Sequence, residues 1–137
     1  MSLELLSEKL RTSGYSTTKP RILIFTLLIG KSPLSVKELL ELIDSAIDKA
    51  SVYRTLGLFE KLGVTQRVNS GWKYKLELTD LFAAHHHHLH CKLCGKTETT
   101  HHSTELEKLI EELAIKSRFN LEAHQLELYG ICKKCRG

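Results

Sequence analysis

Two Cys-x-x-Cys pairs constrain this chain more than any other feature of its sequence. Cys91 and Cys94 form the first pair, and Cys132 and Cys135 form the second. Each pair presents two thiolates from a tight turn, and four thiolates complete the tetrahedral ligand set of a structural zinc ion. A redox-active pair and four unbound thiols are the alternatives. We favour zinc, because one metal would close residues 95–131 at both ends and stabilise a small domain.

A run of histidines lies directly before the first cysteine pair. Residues 85–94 hold five histidines and two cysteines, and His85–His88 are consecutive. On an extended strand, successive side chains point to opposite faces. We therefore expect His85 and His87 to serve one metal site and His86 and His88 another; a solvated histidine patch is the alternative. Further ligands could come from Glu77, Glu98, His101, His102, Glu107 and His124.

The first half of the chain predicts helices followed by a β-hairpin. Apolar spacing and capping residues predict helices over residues 3–13, 17–29, 35–45 and 48–63. Strands at 64–68 and 72–78 flank an Asn-Ser-Gly turn. This is the element order of a winged helix-turn-helix, in which the helix before the wing enters the DNA major groove. A generic helical domain with a hairpin is the alternative.

The charge distribution and the helix before the hairpin both favour DNA binding. Residues 1–78 hold 12 Lys and Arg against 8 Asp and Glu, whereas residues 79–137 hold 8 of each, so the net charge of +4 lies in the first half. That distribution suits contact with a polyanion. Polar side chains early on the fourth helix could reach phosphates and base edges: Ser51, Tyr53, Arg54 and Thr55.

The second half predicts a small α/β domain after a semi-rigid hinge at residues 79–84. We expect a strand at 96–100, a helix at 104–116 that begins with a Thr104–Glu107 capping box, and strands within 119–131 that include His124. Glu107 is thus either a capping residue or a ligand, and His124 either a packed histidine or a ligand. A core this small needs a metal or a partner subunit.

Several classes of protein are disfavoured by the sequence. The N-terminus lacks a secretion signal, and the apolar run at 22–29 is too short to span a bilayer, so we expect a cytoplasmic protein without a membrane partner. In that compartment cysteines bind metal more readily than they form disulfides. A zinc hydrolase is the rival from the enzyme class, but no His-Glu-x-x-His motif is present. We therefore expect no enzyme.

Taken together, these motifs resemble the ferric uptake regulator (Fur) family. The resemblance covers nearly the whole chain and is carried by Thr-Lys-Pro-Arg at 18–21, Ala-Ser-Val-Tyr-Arg-Thr-Leu at 50–56, the histidine and cysteine segment at 85–96, and His124 before Cys132. It implies a homodimeric, metal-dependent transcription factor that binds double-stranded DNA. Members of the family usually repress genes when the sensed metal is abundant.

The resemblance also implies roles for individual residues. It assigns structural zinc to Cys91, Cys94, Cys132 and Cys135. It assigns the sensing site to His86 and His88, with Glu77, Glu98 and His101 as further positions. It assigns a second metal site in the dimerisation domain to His85, His87, Glu107 and His124. Tyr53 and Arg54 match residues that face DNA, and Arg21 matches an arginine that contacts the DNA backbone.

Departures from the family pattern leave the regulatory metal open among zinc, iron and manganese. Pro33 occupies a loop position where iron- and peroxide-sensing members usually have a histidine, and Thr99 replaces an acidic residue. His87 stands at a frequent aspartate, as in zinc-sensing members, but the cysteine that those members add within 76–84 is absent. Ser16 replaces the basic residue that commonly enters the minor groove.

We therefore predict an α+β protein with an N-terminal winged helix-turn-helix DNA-binding domain (1–78), a hinge (79–84) and a small α/β dimerisation domain with a four-cysteine zinc site (85–137). It should bind a palindromic operator as a homodimer and repress transcription with a divalent metal as corepressor. A DNA-binding protein with purely structural zinc is the alternative, and a zinc hydrolase is the more remote one.

Overall fold

The structure is a computed structural model, and it describes residues 2–70, 73–100 and 102–137. The chain divides into two compact units, Met1–Ala84 and His85–Gly137. Within the described residues, no helix has the length and apolar character needed to cross a bilayer.

Four helices and a two-stranded antiparallel sheet form the first unit. The elements are α1 (Ser2–Thr12), α2 (Lys19–Leu28), α3 (Val36–Ile43), α4 (Lys49–Lys61), β1 (Thr65–Ser70) and β2 (Lys73–Leu78). Their apolar faces meet in one core, in which Leu6, Phe25, Leu39, Val52 and Phe59 are fully buried. This order of helices and hairpin confirms the predicted winged helix-turn-helix.

Local side-chain caps determine where α3 and α4 begin. The Ser35 hydroxyl accepts a hydrogen bond from the Glu38 amide at 3.0 Å, and the Glu38 carboxylate accepts one from the Ser35 amide at 3.3 Å, so the predicted capping box is present. The Asp48 carboxylate accepts from the Ser51 amide at 3.1 Å and caps α4. Gly63, with φ 74°, lets the chain turn from α4 into β1.

The hairpin differs from the prediction in length and in burial. β1 runs through Asn69 and Ser70, which were predicted to form the turn, and Ser70 pairs with Lys73. The predicted strand residue Trp72 lies outside the described residues. Alternation of apolar and charged residues along 72–78 predicts one buried face that includes Tyr74, Leu76 and Leu78. Tyr74 is instead exposed, and the Arg67 guanidinium lies 4.2 Å over its ring. Neighbouring Leu76 and Leu78 are buried as predicted.

Residues that were predicted to form a hinge make contacts within the first unit. The Thr79 amide donates to the Val64 carbonyl at 3.0 Å, and the Phe82 ring packs edge-on against Phe25 with 5.0 Å between centroids. These contacts attach residues 79–82 to the helical core. A hinge function for residues 79–84 stays a prediction.

A three-stranded mixed sheet and two helices form the second unit. The elements are β3 (His88–Cys91), β4 (Thr97–Thr99), α5 (Thr104–Lys116), β5 (Glu127–Gly130) and α6 (Lys133–Arg136). The strand order is β4-β3-β5; β3 is antiparallel to β4 and parallel to β5. The α/β character of this unit confirms the predicted fold class.

Several details of the second unit correct the prediction. The N-cap of α5 is Ser103, whose hydroxyl accepts from the Leu106 amide at 3.3 Å, so the predicted Thr104–Glu107 capping box is wrong. Residues 119–126 form no strand, and His124 therefore lies in an irregular segment. The helical spacing of the leucines in α5 predicts a buried apolar face, but Leu109 and Leu113 on that face are 62% and 67% exposed.

Candidate metal centres and DNA-binding surface

Four cysteine sulfurs converge at one end of the three-stranded sheet, all within 4.8 Å of one another. Cys91 ends β3, and Cys132 follows β5 closely along the chain. Because these strands are parallel neighbours, with Cys91 opposite Gly130, the turns that follow them emerge at the same edge. The sheet thus brings together the two predicted cysteine pairs.

The spacing and hydrogen bonds of this cluster fit a tetrahedral zinc ion. Zinc–sulfur bonds of about 2.3 Å in a tetrahedron separate sulfurs by about 3.8 Å, and the Cys94 and Cys132 sulfurs lie 3.7 Å apart. The amides of Cys94 and Cys132 donate to Cys91 Sγ at 3.5 and 3.3 Å, and these bonds lower the pKa of Cys91 to about 6. Cys91 is therefore a thiolate at neutral pH, the form that binds metal.

The pKa of the fourth cysteine, Cys135, shifts in the opposite direction. Hydrogen bonding with Cys132, followed by burial, raises the pKa of Cys135 to about 12. Four sulfurs this close cannot all ionise without a compensating cation. A coordinated thiol is deprotonated by the metal itself. All four cysteines can therefore act as thiolate ligands once a cation binds to all four sulfurs.

A second cluster joins three imidazoles to one carboxylate. Glu107 lies at its centre: Oε1 is 2.7 Å from His87 Nε2, and Oε2 is 3.0 Å from His124 Nε2. His85 Nε2 lies 3.0 Å from His124 Nε2, and one ligand atom from each residue lies within 4.8 Å of the others. Because Ser103 caps α5, the Glu107 carboxylate is not used in a capping box and can face this cluster. The irregular segment before β5 supplies His124.

The electrostatics of this second cluster suit a divalent cation. Burial raises the pKa of Glu107, but the hydrogen bond from His87 and the charges of His85 and His124 outweigh it and lower the pKa below its usual value. The carboxylate is therefore ionised beside three nitrogen donors, which together are ligands that zinc accepts. His87 Nδ1 is buried and has no hydrogen-bond partner among the residues that the structure describes.

His86 and His88 form a separate pair. Their ring centroids are 4.9 Å apart and their planes nearly perpendicular, with a nitrogen of each ring within 4.8 Å of the other. Two neighbouring imidazoles are a partial ligand set for zinc or iron. The strand begins only at His88, yet the side chains group as predicted, His85 with His87 and His86 with His88.

The three further residues predicted for the sensing site have different outcomes. Glu98, on β4, is not brought to the histidine pair. It lies opposite Leu89 of β3 and so shares the face of the sheet that Leu89 occupies, which is not the face of His88. Its carboxylate forms an ion pair with Lys96 at 2.9 Å. His101 lies outside the described residues. Glu77 belongs to the first unit, where it accepts a hydrogen bond from Gln66 at 2.9 Å; its role as a ligand stays a prediction.

Two residues next to His88 received no role from the sequence. These residues are His90 and Glu127, and His90 Nε2 lies 2.6 Å from Glu127 Oε2. Only the pairing of β3 with β5 brings them together, and that pairing cannot be read from local patterns. The one available signal was an acidic residue between Leu126 and Leu128 in an otherwise apolar strand.

On the predicted recognition helix α4, a chain of hydrogen bonds orders the first turn. The Ser51 hydroxyl donates to Asp48 at 2.7 Å and accepts from Arg54 Nη2 at 3.1 Å. The bond from the Ser51 side chain, followed by that from its amide, lowers the pKa of Asp48. Tyr53 is 55% exposed, but Thr55 is only 5% exposed. The prediction that Thr55 is available to DNA is wrong, because it lies on the core-facing side of the helix.

Arg21 is held in place at the start of α2. Its Nη1 donates to the Ser16 carbonyl at 2.6 Å, and its guanidinium lies 5.6 Å from the centroid of the Tyr15 ring. These contacts orient a guanidinium that is partly exposed at the surface. Its predicted contact with the DNA backbone remains a prediction.

Comparisons with known proteins agree with this architecture. Residues 12–129 match the Ferric uptake regulator family. The chain is 31% identical over 136 residues to the ferric uptake regulation protein of Neisseria meningitidis, covering 93% of this chain and 91% of that protein. The solved ferric uptake regulator of Vibrio cholerae superposes with a TM-score of 0.75 at 31% identity, covering 92% and 98% of the two chains. That of Helicobacter pylori, described as having three functional metal binding sites, gives 0.81 at 26% identity, covering 99% and 92%. The chain therefore belongs to the ferric uptake regulator family of metal-dependent transcriptional regulators.

Proposed function

We propose that this chain is a homodimeric DNA-binding repressor that holds structural zinc at its four cysteines and binds regulatory divalent metal at its histidines. The observation that supports this best is the division of four consecutive histidines between two ligand groups. His85 and His87 approach Glu107, whereas His86 and His88 approach each other. A solvated patch would leave such side chains in water, but His87 and His88 are each only 4% exposed.

The regulatory site proposed here consists of His86 and His88, with Glu77 as a third ligand on the family resemblance alone. The cluster around Glu107 is the proposed second site. Imidazole and carboxylate ligands suit zinc, iron and manganese, and affinity alone favours zinc over the other two. The Helicobacter pylori relative has three functional metal binding sites, which is the number proposed for this chain.

The proposed response to metal is a population shift. If Glu77 and the two histidines share a cation, the two halves of the chain lose relative freedom, which favours the arrangement competent to bind DNA. A metal with equal affinity for both arrangements would change nothing. Coupling of about 1–3 kcal/mol, or about 5- to 150-fold in DNA affinity, is the usual range for such linkage.

The proposed partners are a palindromic DNA duplex and a second copy of this chain. The duplex would meet α4, where Tyr53 and Arg54 are exposed and the Asp48 cap orders the first turn. A two-fold dimer repeats that helix and so matches a site with two equal halves. The second unit exposes apolar side chains suited to a subunit contact: Leu109, Leu113, Phe119, Leu128 and Ile131. We propose that the protein acts in the cytoplasm.

The test is metal-dependent DNA binding by the untagged full-length protein. A binding site is first selected from random duplexes, and affinity is then measured with zinc, iron(II) or manganese(II). We expect one metal to raise affinity at least about 5-fold and the His86→Ala/His88→Ala variant to lose that response. His102→Ala, which removes an exposed histidine of the same unit, is the matched control. Equal affinity with every metal, or an unchanged response in the double variant, would contradict the proposal.

A further inference from the structure

A largely buried carboxylate, that of Glu127, lies between two histidines of β3. Glu127 Oε1 is 3.1 Å from His88 Nδ1, and Oε2 is 2.6 Å from His90 Nε2. The Glu127 side chain is 14% exposed, against 6% for His88 and 4% for His90. Taking a carboxylate out of water is costly unless hydrogen bonds replace its hydration, so these two contacts are what stabilise it there.

The hydrogen bonds determine which nitrogen of each ring carries the proton. An ionised carboxylate only accepts, so the nitrogens that it contacts, His88 Nδ1 and His90 Nε2, must donate. His90 Nδ1 then accepts from the Thr97 hydroxyl, which lies 3.1 Å away. In the neutral ring of His88 this leaves Nε2 without a proton, the state in which an imidazole nitrogen binds metal.

The sheet makes this arrangement rigid. His88 lies opposite Glu127 in the parallel pairing of β3 with β5, and His90 lies opposite Tyr129, whose ring stacks on it with 5.0 Å between centroids. On the other side of β3, Thr97 is the antiparallel partner of His90. His90 is therefore held from both neighbouring strands, and it fixes one oxygen of Glu127 while the other oxygen faces His88.

We propose that Glu127 is a positioning residue for the regulatory metal: held by His90, it keeps His88 protonated on Nδ1 and presents Nε2 to the cation. This inference rests on the proposed function of His88 as a ligand. A carboxylate behind a metal-bound histidine fixes the ring orientation and increases the basicity of the ligating nitrogen, and its removal typically weakens metal binding about 10- to 100-fold.

The first test is the protonation state of His88 in the full-length protein with one equivalent of zinc. Nitrogen–proton correlation spectra of the histidine rings distinguish the two neutral forms, and His88→Gln assigns the signals. We expect His88 to carry its proton on Nδ1 in the unmodified protein and to lose that preference in Glu127→Gln. A His88 ring protonated on Nε2 in the unmodified protein overturns the inference, and this result needs no variant to fold.

The second test is the affinity for Co²⁺, whose absorption separates nitrogen ligands from thiolates. The protein carries zinc, and His85→Ala/His124→Ala removes the second cluster. In that background Glu127→Gln should weaken Co²⁺ binding about 10- to 100-fold while zinc at the cysteines is retained. Glu122→Gln, which changes an exposed glutamate of the same unit, should bind as before. Unchanged Co²⁺ affinity in Glu127→Gln overturns the inference.

The two tests separate this inference from the function on which it rests. Protonation of His88 on Nε2 overturns the positioning role of Glu127 even when DNA binding responds to metal. A full metal response in His86→Ala/His88→Ala overturns the proposed function even when the His88 ring carries its proton on Nδ1.

Discussion

The sulfurs of Cys94 and Cys132 lie 3.7 Å apart, although they belong to turns that follow two different strands. That separation is close to the edge of a tetrahedron with zinc–sulfur bonds of about 2.3 Å. Among the described residues of the second unit, the buried hydrophobic side chains are those of Cys91 and Ala114. Structural zinc in small domains contributes about 10–16 kcal/mol of apparent binding free energy, far more than such a core can supply.

Removal of zinc should therefore unfold residues 85–137. We expect Cys94→Ser to lose about one zinc per chain and the circular dichroism signal of α5, and chelation of the unmodified protein to do the same. Leu93→Ser, in the same turn and with an exposed side chain, is the matched control. Metal analysis and far-ultraviolet spectra are the measurements. Retention of structure after complete zinc removal would show that the cysteines have no structural role.

A second prediction concerns Glu107, the carboxylate shared by three histidines. Glu107→Gln removes the negative charge that balances a cation among His85, His87 and His124, so about one bound divalent ion per chain should be lost while zinc at the cysteines remains. Metal stoichiometry after dialysis measures this. Glu111→Gln, on an exposed position of the same helix, should keep the full complement. Equal stoichiometry in the two variants would mean that this cluster holds no metal.

A third prediction separates two neighbouring residues of α4. Arg54 is exposed and Thr55 is buried. Arg54→Ala should weaken binding to the selected duplex by about 1–3 kcal/mol, the usual value of a good side-chain contact to a base. Thr55→Val, which keeps the volume and removes the hydroxyl, should leave DNA affinity unchanged. Fluorescence anisotropy of a labelled duplex is the measurement, and a large loss in Thr55→Val would place its hydroxyl on the DNA after all.

The capping residue of α4 supports a prediction about pH. Hydrogen bonds from the Ser51 side chain and amide lower the pKa of Asp48 in the folded protein below its usual value of 3.8. A group with a lowered folded pKa stabilises the fold above its unfolded pKa, and this contribution is lost as pH falls through the folded value. Asn also caps helices but does not ionise. The unfolding free energy of the unmodified protein minus that of Asp48→Asn should therefore be constant at neutral pH. It should decrease below about pH 4, because protonation of Asp48 removes the stabilisation from its ionised carboxylate.

Thermal unfolding of the two proteins across pH 2.5–7 gives this difference directly, because other titrating groups are common to both. Glu41→Gln, an exposed carboxylate on α3, should show no such dependence on pH. A difference that stays constant down to the lowest pH would mean that ionisation of Asp48 does not contribute to the stability of the fold.

Features that depend on neighbouring residues could be predicted from the sequence. The Ser35 and Asp48 caps lie within three residues of the amides that they bind, so they mark helix starts locally. The Cys-x-x-Cys spacing of the two cysteine pairs predicts the zinc site. Alternation of four histidines predicts two ligand groups even where no strand forms, because it needs only an extended backbone.

Features set by tertiary contacts could not be predicted in the same way. Ser103 and Thr104 are both plausible N-caps, and Ser103 is the one used, with Glu107 directed to three histidines. The contact of Glu127 with His88 depends on the register between strands that are far apart in the chain. Thr55 is a different case: it lies three residues after Val52 and four before Phe59, so helical spacing alone places it on the buried face of α4.

The exposed leucines of α5 support the last prediction, which concerns the proposed homodimer. Leu109 and Leu113 lie one helical turn apart and are 62% and 67% exposed, so a second copy would have to cover them. Leu113→Glu places a carboxylate from each copy in that contact. Loss of one central residue of an interface costs about 2 kcal/mol or more, and the dimer carries the substitution twice, so it should dissociate at a concentration at least about 30-fold higher. Leu42→Glu, at an exposed leucine of the first unit, should leave the dimer intact. Sedimentation velocity across a dilution series measures both, and an unchanged dimer in Leu113→Glu would place the subunit contact on another surface.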